Sequence, residues 1–215
     1  MAEAANICAT SFGRVYDFYI EREWLSRPLA RVAWGIDVAP MYEAIKQLGD
    51  CGDGMTIADV PSGGGLALRG LSQGQNVRFI AVDIDPQMLT RTKQKAAKRG
   101  LAQVETIKAD MRELPLETAS IDLLCTFSGI HMISDPERAI AEFARVLKPG
   151  GRMIGSSFVG DGSRRQRKLF DRTERQGGAQ LAADAAAIKG MLQAVGFTDV
   201  RATGRGFVVF EACRA

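Results

Sequence analysis

The sequence contains little histidine, no long hydrophobic run and no closely spaced pair of cysteines. It has one histidine, His131, and four cysteines, Cys8, Cys51, Cys125 and Cys213, among 215 residues. No two cysteines have Cys-x-x-Cys spacing, so the sequence contains no recognisable zinc site. Cys125 lies in an apolar, strand-like run and is interpreted as a buried thiol, which favours a reducing cytoplasm.

Long apolar segments are also missing. No stretch approaches the roughly 20 apolar residues that a membrane-spanning helix needs. The first ten residues have neither a basic start nor an apolar run, so we expect no signal peptide. A formal net charge of +3 is too small to predict a nucleic-acid partner by itself. With 46% hydrophobic and 25% charged residues, the chain is predicted to form a single domain over residues 1–215, and the sequence specifies no oligomeric state.

A glycine-rich turn between two apolar strands is the most informative feature that is present. The first strand carries Asp59 near its end, three consecutive glycines follow at 63–65, and the second strand has Asp83 at its tip. An acid at the end of the second strand binds the ribose hydroxyls in nucleotide-binding βαβ units. The dinucleotide fingerprint Gly-x-Gly-x-x-Gly is incomplete, because Leu68 occupies the place of its third glycine.

The position of Asp59 distinguishes between nucleotides. It lies four residues before Gly63, close to where the pyrophosphate of a dinucleotide would lie. A carboxylate there would repel phosphate, but it would attract a ligand that carries a sulfonium and an ammonium group. S-adenosylmethionine has both cations and no phosphate. The electrostatics therefore favour a methyl-donor site over the site of a nicotinamide dehydrogenase.

Five sequence motifs occur in an order that is typical of one family. The first, Asp59–Gly65, fits Asp-x-Gly-x-Gly-x-Gly except at Pro61, which lacks a backbone N–H. The others are Val82–Leu89, Ala109–Pro115, Ser120–Cys125 and Arg145–Gly151. Over roughly residues 55–215 the chain resembles class I S-adenosylmethionine-dependent methyltransferases, of the branch that includes ubiquinone and menaquinone biosynthesis methylases.

This resemblance implies an α/β fold: a doubly wound, mostly parallel, seven-stranded Rossmann-like sheet with an antiparallel C-terminal hairpin and an N-terminal helical cap. The alternation of strand and helix patterns also predicts a parallel sheet with crossover helices. We divide the single methyltransferase domain into a cap at 1–48, a cofactor-binding core at 55–160, a basic substrate-cover segment at 161–180, and a C-terminal helix and hairpin at 181–215.

The local patterns predict individual elements. Strands are expected at 55–60, 78–83, 104–109, 121–127 and 152–159, and helices from 65, over 86–99 and over 135–147. Residues 11–48 are predicted to form two amphipathic helices that break near Pro28. Asp135 followed by Pro136 is typical of a helix start.

The resemblance also implies roles for residues at the strand tips. Asp83 would bind the ribose, Asp59 the methionyl amine, and Asp110 with Met111 the adenine. The full predicted cofactor-binding set is Asp59, Pro61, Ser62, Gly63, Gly65, Asp83, Ile84, Asp110, Met111, Phe127 and Ser128. A structural alternative exists for the aspartates, which could bond turn amides or cap a helix, although Asp85 is better placed than Asp83 to cap the helix that begins at Pro86.

His131 is the candidate catalytic residue. It lies four residues after Phe127, at the carboxyl edge where ligands bind in such sheets. A histidine with a near-neutral pKa could take a proton from the nucleophile. The alternative is a loop residue that only lines the cofactor, since alignment and desolvation can supply much of the rate of methyl transfer without a base.

Two further segments could cover the substrate. All three tyrosines and both tryptophans lie within the first 42 residues, either as core packing or as a lid in which Tyr16 or Tyr19 reaches the cofactor. The segment Arg164–Arg175 has six positive and two negative charges. It is either a solvated helix face or part of a cover that attracts an acidic acceptor.

The sequence thus favours transfer of a methyl group from S-adenosylmethionine, with S-adenosylhomocysteine as product, to an oxygen, nitrogen or carbon nucleophile of a small molecule. Two alternatives stay open: an RNA methyltransferase, supported only by the basic segment, and a protein that binds S-adenosylmethionine without turnover. Against RNA, residues 127–130 do not form the Asn/Asp-Pro-Pro-Tyr tetrapeptide of nucleic-acid amino-methylases, and the chain has no Pro-Cys pair for cytosine chemistry.

Overall fold

A single mixed sheet organises the computed structural model, which describes residue 20, residues 22–175 and residues 180–215. Its strands are β1 (Thr56–Asp59), β2 (Arg78–Asp83), β3 (Val104–Lys108), β4 (Ile121–Phe127), β5 (Leu147–Phe158), β6 (Phe197–Arg205) and β7 (Phe207–Arg214). They are arranged in the order β3-β2-β1-β4-β5-β7-β6. The first five strands are parallel, and β7 runs antiparallel to both β5 and β6. This confirms the predicted seven-stranded, doubly wound sheet with its antiparallel hairpin.

Helices pack on the sheet. They are α1 (Glu23–Trp34), α2 (Ala39–Lys46), α3 (Pro86–Lys98), α4 (Pro136–Val146), α5 (Arg164–Arg175) and α6 (Ala185–Ala194). Each of α3, α4 and α6 starts after an aspartate whose carboxylate accepts a hydrogen bond from a first-turn amide. The capping residues are Asp85, Asp135 and Asp184. The predicted capping role of Asp85 and the Asp135–Pro136 helix start are thereby confirmed.

Burial on both faces explains why the central strands are almost continuously apolar. Five of the six residues of β2 are buried, as expected for a strand covered on both sides. One core cluster includes Phe143 of α4 and Leu192 of α6, both fully buried. Another includes Ala96 of α3 and Phe79 of β2. Each fully buried large side chain contributes roughly 1.5–3 kcal/mol, so these clusters fix the strand ends that carry the polar residues.

The predicted break near Pro28 is wrong. Helix α1 continues through this proline and ends at Trp34, after which Gly35 takes a left-handed φ of 71° and its amide bonds the carbonyls of Ala30 and Arg31. Pro28 is exposed, so the carbonyl that loses its helical partner can face solvent, and the proline is tolerated. Gly35 therefore ends the first helix.

The predicted helix from residue 65 is also wrong. That region forms only a short 3₁₀ turn, Ala67–Gly70, before the chain extends at Leu71. The turn packs closely on α2, because a Cβ added at Gly70 would lie 1.9 Å from the Ile45 carbonyl oxygen. The strand predicted at 152–159 begins earlier, at Leu147, because Leu147 already pairs with Ile121.

The aromatic residues near the N-terminus have different environments. Tyr42 is buried and its hydroxyl donates to the Ile20 carbonyl at 2.6 Å, as core packing predicts. Trp24 is 75% exposed, so it takes no part in that core. Tyr16 and Tyr19, the residues proposed for a lid, lie outside the described residues. None of the helices in the described part of the chain is long and apolar enough to cross a membrane.

Candidate functional site

The carboxyl ends of the parallel strands bring most of the predicted residues to one edge. Strand β1 ends at Asp59, which pairs in register with Ala81 of β2 and Cys125 of β4. The chain then stays close to both neighbours. The Val60 amide donates to the Cys125 carbonyl, and the Ser62 amide donates to the Val82 carbonyl, each at 2.8 Å. The glycine loop is thus held between the ends of β2 and β4.

Asp83, at the end of β2, organises this loop. One carboxylate oxygen accepts from the Gly63 amide at 2.8 Å, and the other accepts from the Asp85 amide at 2.9 Å. Burial raises the pKa of Asp83, while the amides of Asp85 and Gly63 oppose that shift. Each carboxylate oxygen has a second lone pair, so the group retains capacity to accept from a ligand.

Asp59 is the most unusual residue at this edge. It is 2% exposed, and its Oδ2 atom has no hydrogen-bond partner among the described residues. Burial raises the pKa of Asp59 well above its ordinary value, the Asp83 carboxylate adds to that increase, and the Lys95 ammonium opposes it. Because one oxygen of Asp59 stays unsatisfied and a second carboxyl lies nearby, this site favours a ligand that brings positive charge and hydrogen-bond donors.

Different structural constraints act on Gly63 and Gly65 in the loop. Gly63 and Gly65 both adopt left-handed conformations, with φ of 49° and 79°. A Cβ added at Gly65 would lie 3.1 Å from Leu68 and from Thr92, whereas one added at Gly63 would meet nothing within 4 Å. Gly65 is therefore constrained by packing, while Gly63 borders open space in which a ligand can approach the backbone.

Pro61, where the sequence departs from the pattern Asp-x-Gly-x-Gly-x-Gly, lies in close contact with a second glycine, Gly129. A Cβ added at Gly129 would lie 2.1 Å from the Cδ atom of Pro61. The loop after β4 therefore passes directly over the proline ring, and only a residue without a side chain fits there. The sequence-based interpretation treated Pro61 as a lost hydrogen-bond donor and did not foresee this contact.

Asp110 and Met111, predicted to contact adenine, flank the same edge, as does Ile84 of the predicted cofactor-binding set. Ile84, directly after Asp83, is 60% exposed although it is large and apolar. Asp110 forms a bidentate ion pair with Arg112, with Nη2 to Oδ2 at 2.6 Å. That hydrogen bond, before any other contribution, lowers the pKa of Asp110. Met111 is half-buried against the core. Arg112 was not identified from the sequence.

The end of β4 contributes an orphaned hydroxyl. Ser128 has a φ of 57°, uncommon for a residue with a side chain, and its amide donates to the Ser156 carbonyl at 2.9 Å. Its Oγ atom is buried and unpartnered among the described residues. Phe127 is half-buried beside two core clusters. Strained backbone with an unsatisfied polar atom is a frequent property of ligand sites.

His131 lies in an aromatic environment. Its ring makes edge contacts with Phe158 and Phe170, at centroid distances of 5.2 and 5.7 Å. Burial lowers the pKa of His131 to about 3. The Nδ1 atom lies 3.4 Å from the Phe158 amide, which donates to it, and 3.3 Å from the Ser157 hydroxyl. The ring is therefore neutral at pH 7, and its Nδ1 lone pair is directed at the protein.

The sequence analysis also missed the polar residues of α3 that contact the loop from behind. The Thr92 hydroxyl donates to the Gly63 carbonyl at 2.9 Å, and the Lys95 ammonium donates to the carbonyls of Gly64 and Gly65. These residues have ordinary polar positions in an amphipathic helix, so no pattern in the sequence distinguishes them.

Comparison with known proteins agrees with this geometry. Residues 58–155 match the sequence profile of a family described as "Methyltransferase domain". One curated relative is the ubiquinone/menaquinone biosynthesis C-methyltransferase UbiE of Brucella anthropi, which is 37% identical over 108 residues. That alignment covers 49% of this chain and 41% of the relative. The chain thus spans less than half the length of this curated relative.

Solved structures share the fold at low sequence identity. A SAM-dependent methyltransferase from Aquifex aeolicus is 20% identical with a TM-score of 0.67, and the match covers 94% of this chain and 98% of that one. Haemonchus contortus phosphoethanolamine N-methyltransferase 2, in complex with S-adenosyl-L-methionine, is 17% identical with a TM-score of 0.76. That match covers all of this chain and 60% of the other.

The buried His131 predicts a specific dependence of stability on pH. The folded pKa of about 3 lies below the unfolded value of roughly 6.5, so the unfolded protein binds more protons between these values. The stabilisation is complete above pH 6.5 and is lost as the pH falls towards 3. Between pH 6.5 and 4.5, wild type should lose about 2–3 kcal/mol of unfolding free energy relative to His131→Gln.

Urea unfolding of both proteins across that range measures the difference. Asp59 and Asp83, whose pKa values are raised, change the unfolding free energy in the opposite direction as the pH falls. Both proteins contain these aspartates, so their effect cancels in the difference. Parallel stability curves would show that His131 is protonated in the folded protein as easily as in water.

The Pro61–Gly129 contact predicts coupled substitutions. Gly129→Ala should lower the unfolding free energy by about 1–3 kcal/mol, because the new methyl group collides with the proline ring. Combined with Pro61→Ala, the loss should be smaller than the sum of the two single losses by at least about 1 kcal/mol. A double-mutant cycle by urea unfolding makes the comparison. Strictly additive losses would contradict the contact.

Proposed function

We propose that this chain, whose residues 58–155 match a family described as "Methyltransferase domain", is a class I S-adenosylmethionine-dependent methyltransferase that transfers a methyl group from S-adenosylmethionine to a small molecule. The observation that carries the proposal is the pair of buried carboxyl groups, Asp59 and Asp83, beside the open face of Gly63. A ligand with a ribose diol and an ammonium group supplies the donors and the positive charge that this edge lacks.

The described residues offer a hydrogen-bond acceptor or an apolar surface for each part of S-adenosylmethionine. Asp59, with its orphaned Oδ2, is the acceptor for the methionyl ammonium, and Asp83 is the acceptor for the ribose hydroxyls. The exposed Ile84 offers an apolar surface to the adenine. Asp110, kept ionised by Arg112, accepts from the adenine amino group. When bound, S-adenosylmethionine supplies an electrophilic methyl group on a sulfonium.

The protein's own contribution to the chemistry is to align the acceptor and to exclude water. Phe158 lies at the centre of an aromatic cluster, 5.0 Å from both Phe170 and Phe207. Phe127, at the end of β4, packs against the same core cluster as Phe158 and Phe207. We assign His131 to the wall of this region and not to proton abstraction, because its Nδ1 lone pair is engaged and it is 3% exposed.

The acceptor is proposed to be a small molecule whose nucleophilic atom is oxygen, nitrogen or carbon. The relative named above is a C-methyltransferase of quinone biosynthesis, which favours a carbon nucleophile. Helix α5 is proposed as the acceptor cover. Its buried residues Gln166 and Phe170 attach it to the domain, and its exposed cations suit an acidic acceptor.

RNA methylation and binding without turnover are the competing functions. RNA is favoured only by the cations of α5, and binding alone is favoured because the described residues at this edge form no unmistakable acid–base pair. Labelled S-adenosylmethionine with metabolite and RNA pools, read by mass spectrometry, separates all three functions. A cytoplasmic location remains a proposal based on cysteine usage.

Replacing the ribose ligand should abolish useful cofactor binding. Asp83→Asn removes the charge that accepts from the diol, and charge-assisted hydrogen bonds are worth roughly 1.5–3 kcal/mol each. Calorimetric titration with S-adenosylhomocysteine should therefore show at least about a tenfold loss of affinity.

The matched control is Asp122→Asn. Asp122 lies at the other end of β4, where it pairs with Lys148 at 2.7 Å, so this substitution should cost stability and leave affinity unchanged. Unchanged affinity in a folded Asp83→Asn protein would rule out the ribose role.

The cations of α5 should act on the acceptor and not on the cofactor. Changing Arg164, Arg165, Arg167 and Lys168 to Gln should leave affinity for S-adenosylhomocysteine unchanged, because the proposed cofactor residues lie on other elements. For an acidic acceptor, the wild-type KM should rise from low to physiological salt, where the Debye length is about 8 Å. The variant's KM should be nearly flat.

The same titration distinguishes the acceptor classes. An RNA acceptor gives a steep salt slope, close to one logarithmic unit per phosphate neutralised, whereas a small acid gives a shallow one. Changing Lys93 and Lys98, exposed cations of α3, to Gln is the control. If wild type and the α5 variant share one KM and one salt response, α5 presents only a solvated face.

A further inference from the structure

The segment that contains the glycine loop and the residues up to Leu71 forms no α-helix, so helical hydrogen bonds do not satisfy its backbone carbonyls. Between Gly63 and Leu71 the regular structure is limited to the short turn Ala67–Gly70. Carbonyls in an α-helix accept from amides four residues later, and such partners do not exist here for the loop. Buried backbone carbonyls need other donors. The Leu71 amide donates to the Leu68 carbonyl at 3.0 Å, and side chains of α3 and of Arg99 supply the further donors.

Two residues of α3, and the residue that directly follows it, donate to this segment in sequence. Thr92 donates to the Gly63 carbonyl, Lys95 to those of Gly64 and Gly65, and Arg99, just after the helix, to those of Leu68 and Leu71. Their spacing of three and then four residues places them on one face of the helix. The segment is thus attached to α3 along its whole length.

These contacts orient the loop amides. In a trans peptide the carbonyl and the following amide point in opposite directions. Because the Gly63 and Gly64 carbonyls point to α3, the Gly64 amide points away from α3. The Gly63 amide is meanwhile held by Asp83 at 2.8 Å. The loop conformation that borders the open face of Gly63 therefore depends on donors from behind.

Lys95 also acts through its charge. Among the groups that shift the pKa of Asp59, Lys95 is the one that favours the ionised carboxylate, whereas burial and Asp83 oppose ionisation. Its two contacts with loop carbonyls keep the ammonium close to this buried acid. The same side chain thus fixes the loop and supports the negative charge on Asp59.

We propose that Thr92 and Lys95 are positioning residues of the cofactor-binding loop. Their side chains donate to the loop carbonyls the hydrogen bonds that backbone amides would donate if a helix followed the loop. This inference rests on the proposed function. Arg99, which bonds carbonyls farther along the segment, stabilises the fold without a role in binding. The pair Lys95 and Arg99 therefore provides a test with a built-in control.

The experiment compares Lys95→Met with Arg99→Met by thermal unfolding and by calorimetric titration with S-adenosylhomocysteine. Each variant loses a cation that bonds two backbone carbonyls, so both should unfold at lower temperature. Only Lys95→Met should bind the ligand more weakly, by about tenfold, because only Lys95 holds the carbonyls of the glycine loop and favours the ionised Asp59. Lys95→Arg should recover most of that affinity.

A pH series adds a readout that a purely structural role would not change. Without Lys95 the pKa of Asp59 should rise further, so binding of S-adenosylhomocysteine should fail at a higher pH than in wild type, while Arg99→Met keeps the wild-type profile. Thr92→Val, which removes the Gly63 bond with little change of shape, should weaken binding without shifting the pH profile.

Each outcome has one meaning. Equal affinity losses in Lys95→Met and Arg99→Met, or unchanged affinity in both Lys95→Met and Thr92→Val, would overturn the positioning role while leaving the proposed function intact. If folded wild-type protein itself fails to bind S-adenosylhomocysteine, the proposed function is wrong and the positioning role falls with it.

Discussion

The structure depends on the burial of Asp59 beside Asp83 at the ends of two adjacent strands. Taking a carboxyl group out of water without a partner is among the costliest arrangements in a protein, and a second carboxyl group nearby increases that cost. In the described part of the chain, Lys95 is the cation that counteracts it. A fold that keeps this arrangement must recover the cost elsewhere, and a bound cation with hydroxyl donors recovers it directly.

Several elements of the fold hold Asp59, Asp83 and the glycine loop in position. Strand register places the two acids, Asp83 holds the Gly63 amide, and α3 holds the carbonyls on the far side of the loop. Pro61 is accommodated by the missing side chain of Gly129. The proline in the loop and the 3₁₀ turn, found where the sequence predicted a helix, are thus each matched by a local contact.

The sequence predicted the features that follow from local residue patterns. It did not predict the features that depend on tertiary contacts. The strand tips at Asp59 and Asp83 and the cap at Asp85 follow from apolar runs and local turn chemistry, so they were predicted correctly. The helix from residue 65 was not: the chain makes only a short 3₁₀ turn that packs, through Gly70, against the Ile45 carbonyl. The break at Pro28 was wrong because α1 continues through this exposed proline, and the carbonyl that loses its helical partner can face solvent. The roles of Thr92 and Lys95 depend on a packing distance that no spacing encodes. Their assignment, like those of the cofactor residues, remains a proposal.

The central claim is that this edge selects a nucleoside ligand with a cationic, phosphate-free tail. Parallel calorimetric titrations of the wild-type protein with S-adenosylhomocysteine, whose methionyl end carries the ammonium group, and with NADH, whose ribose and adenine are shared but whose pyrophosphate is anionic, test it most directly. The account predicts saturable binding of S-adenosylhomocysteine and no measurable binding of NADH at millimolar concentration. Binding of NADH at sub-millimolar concentration, with none of S-adenosylhomocysteine, would contradict it.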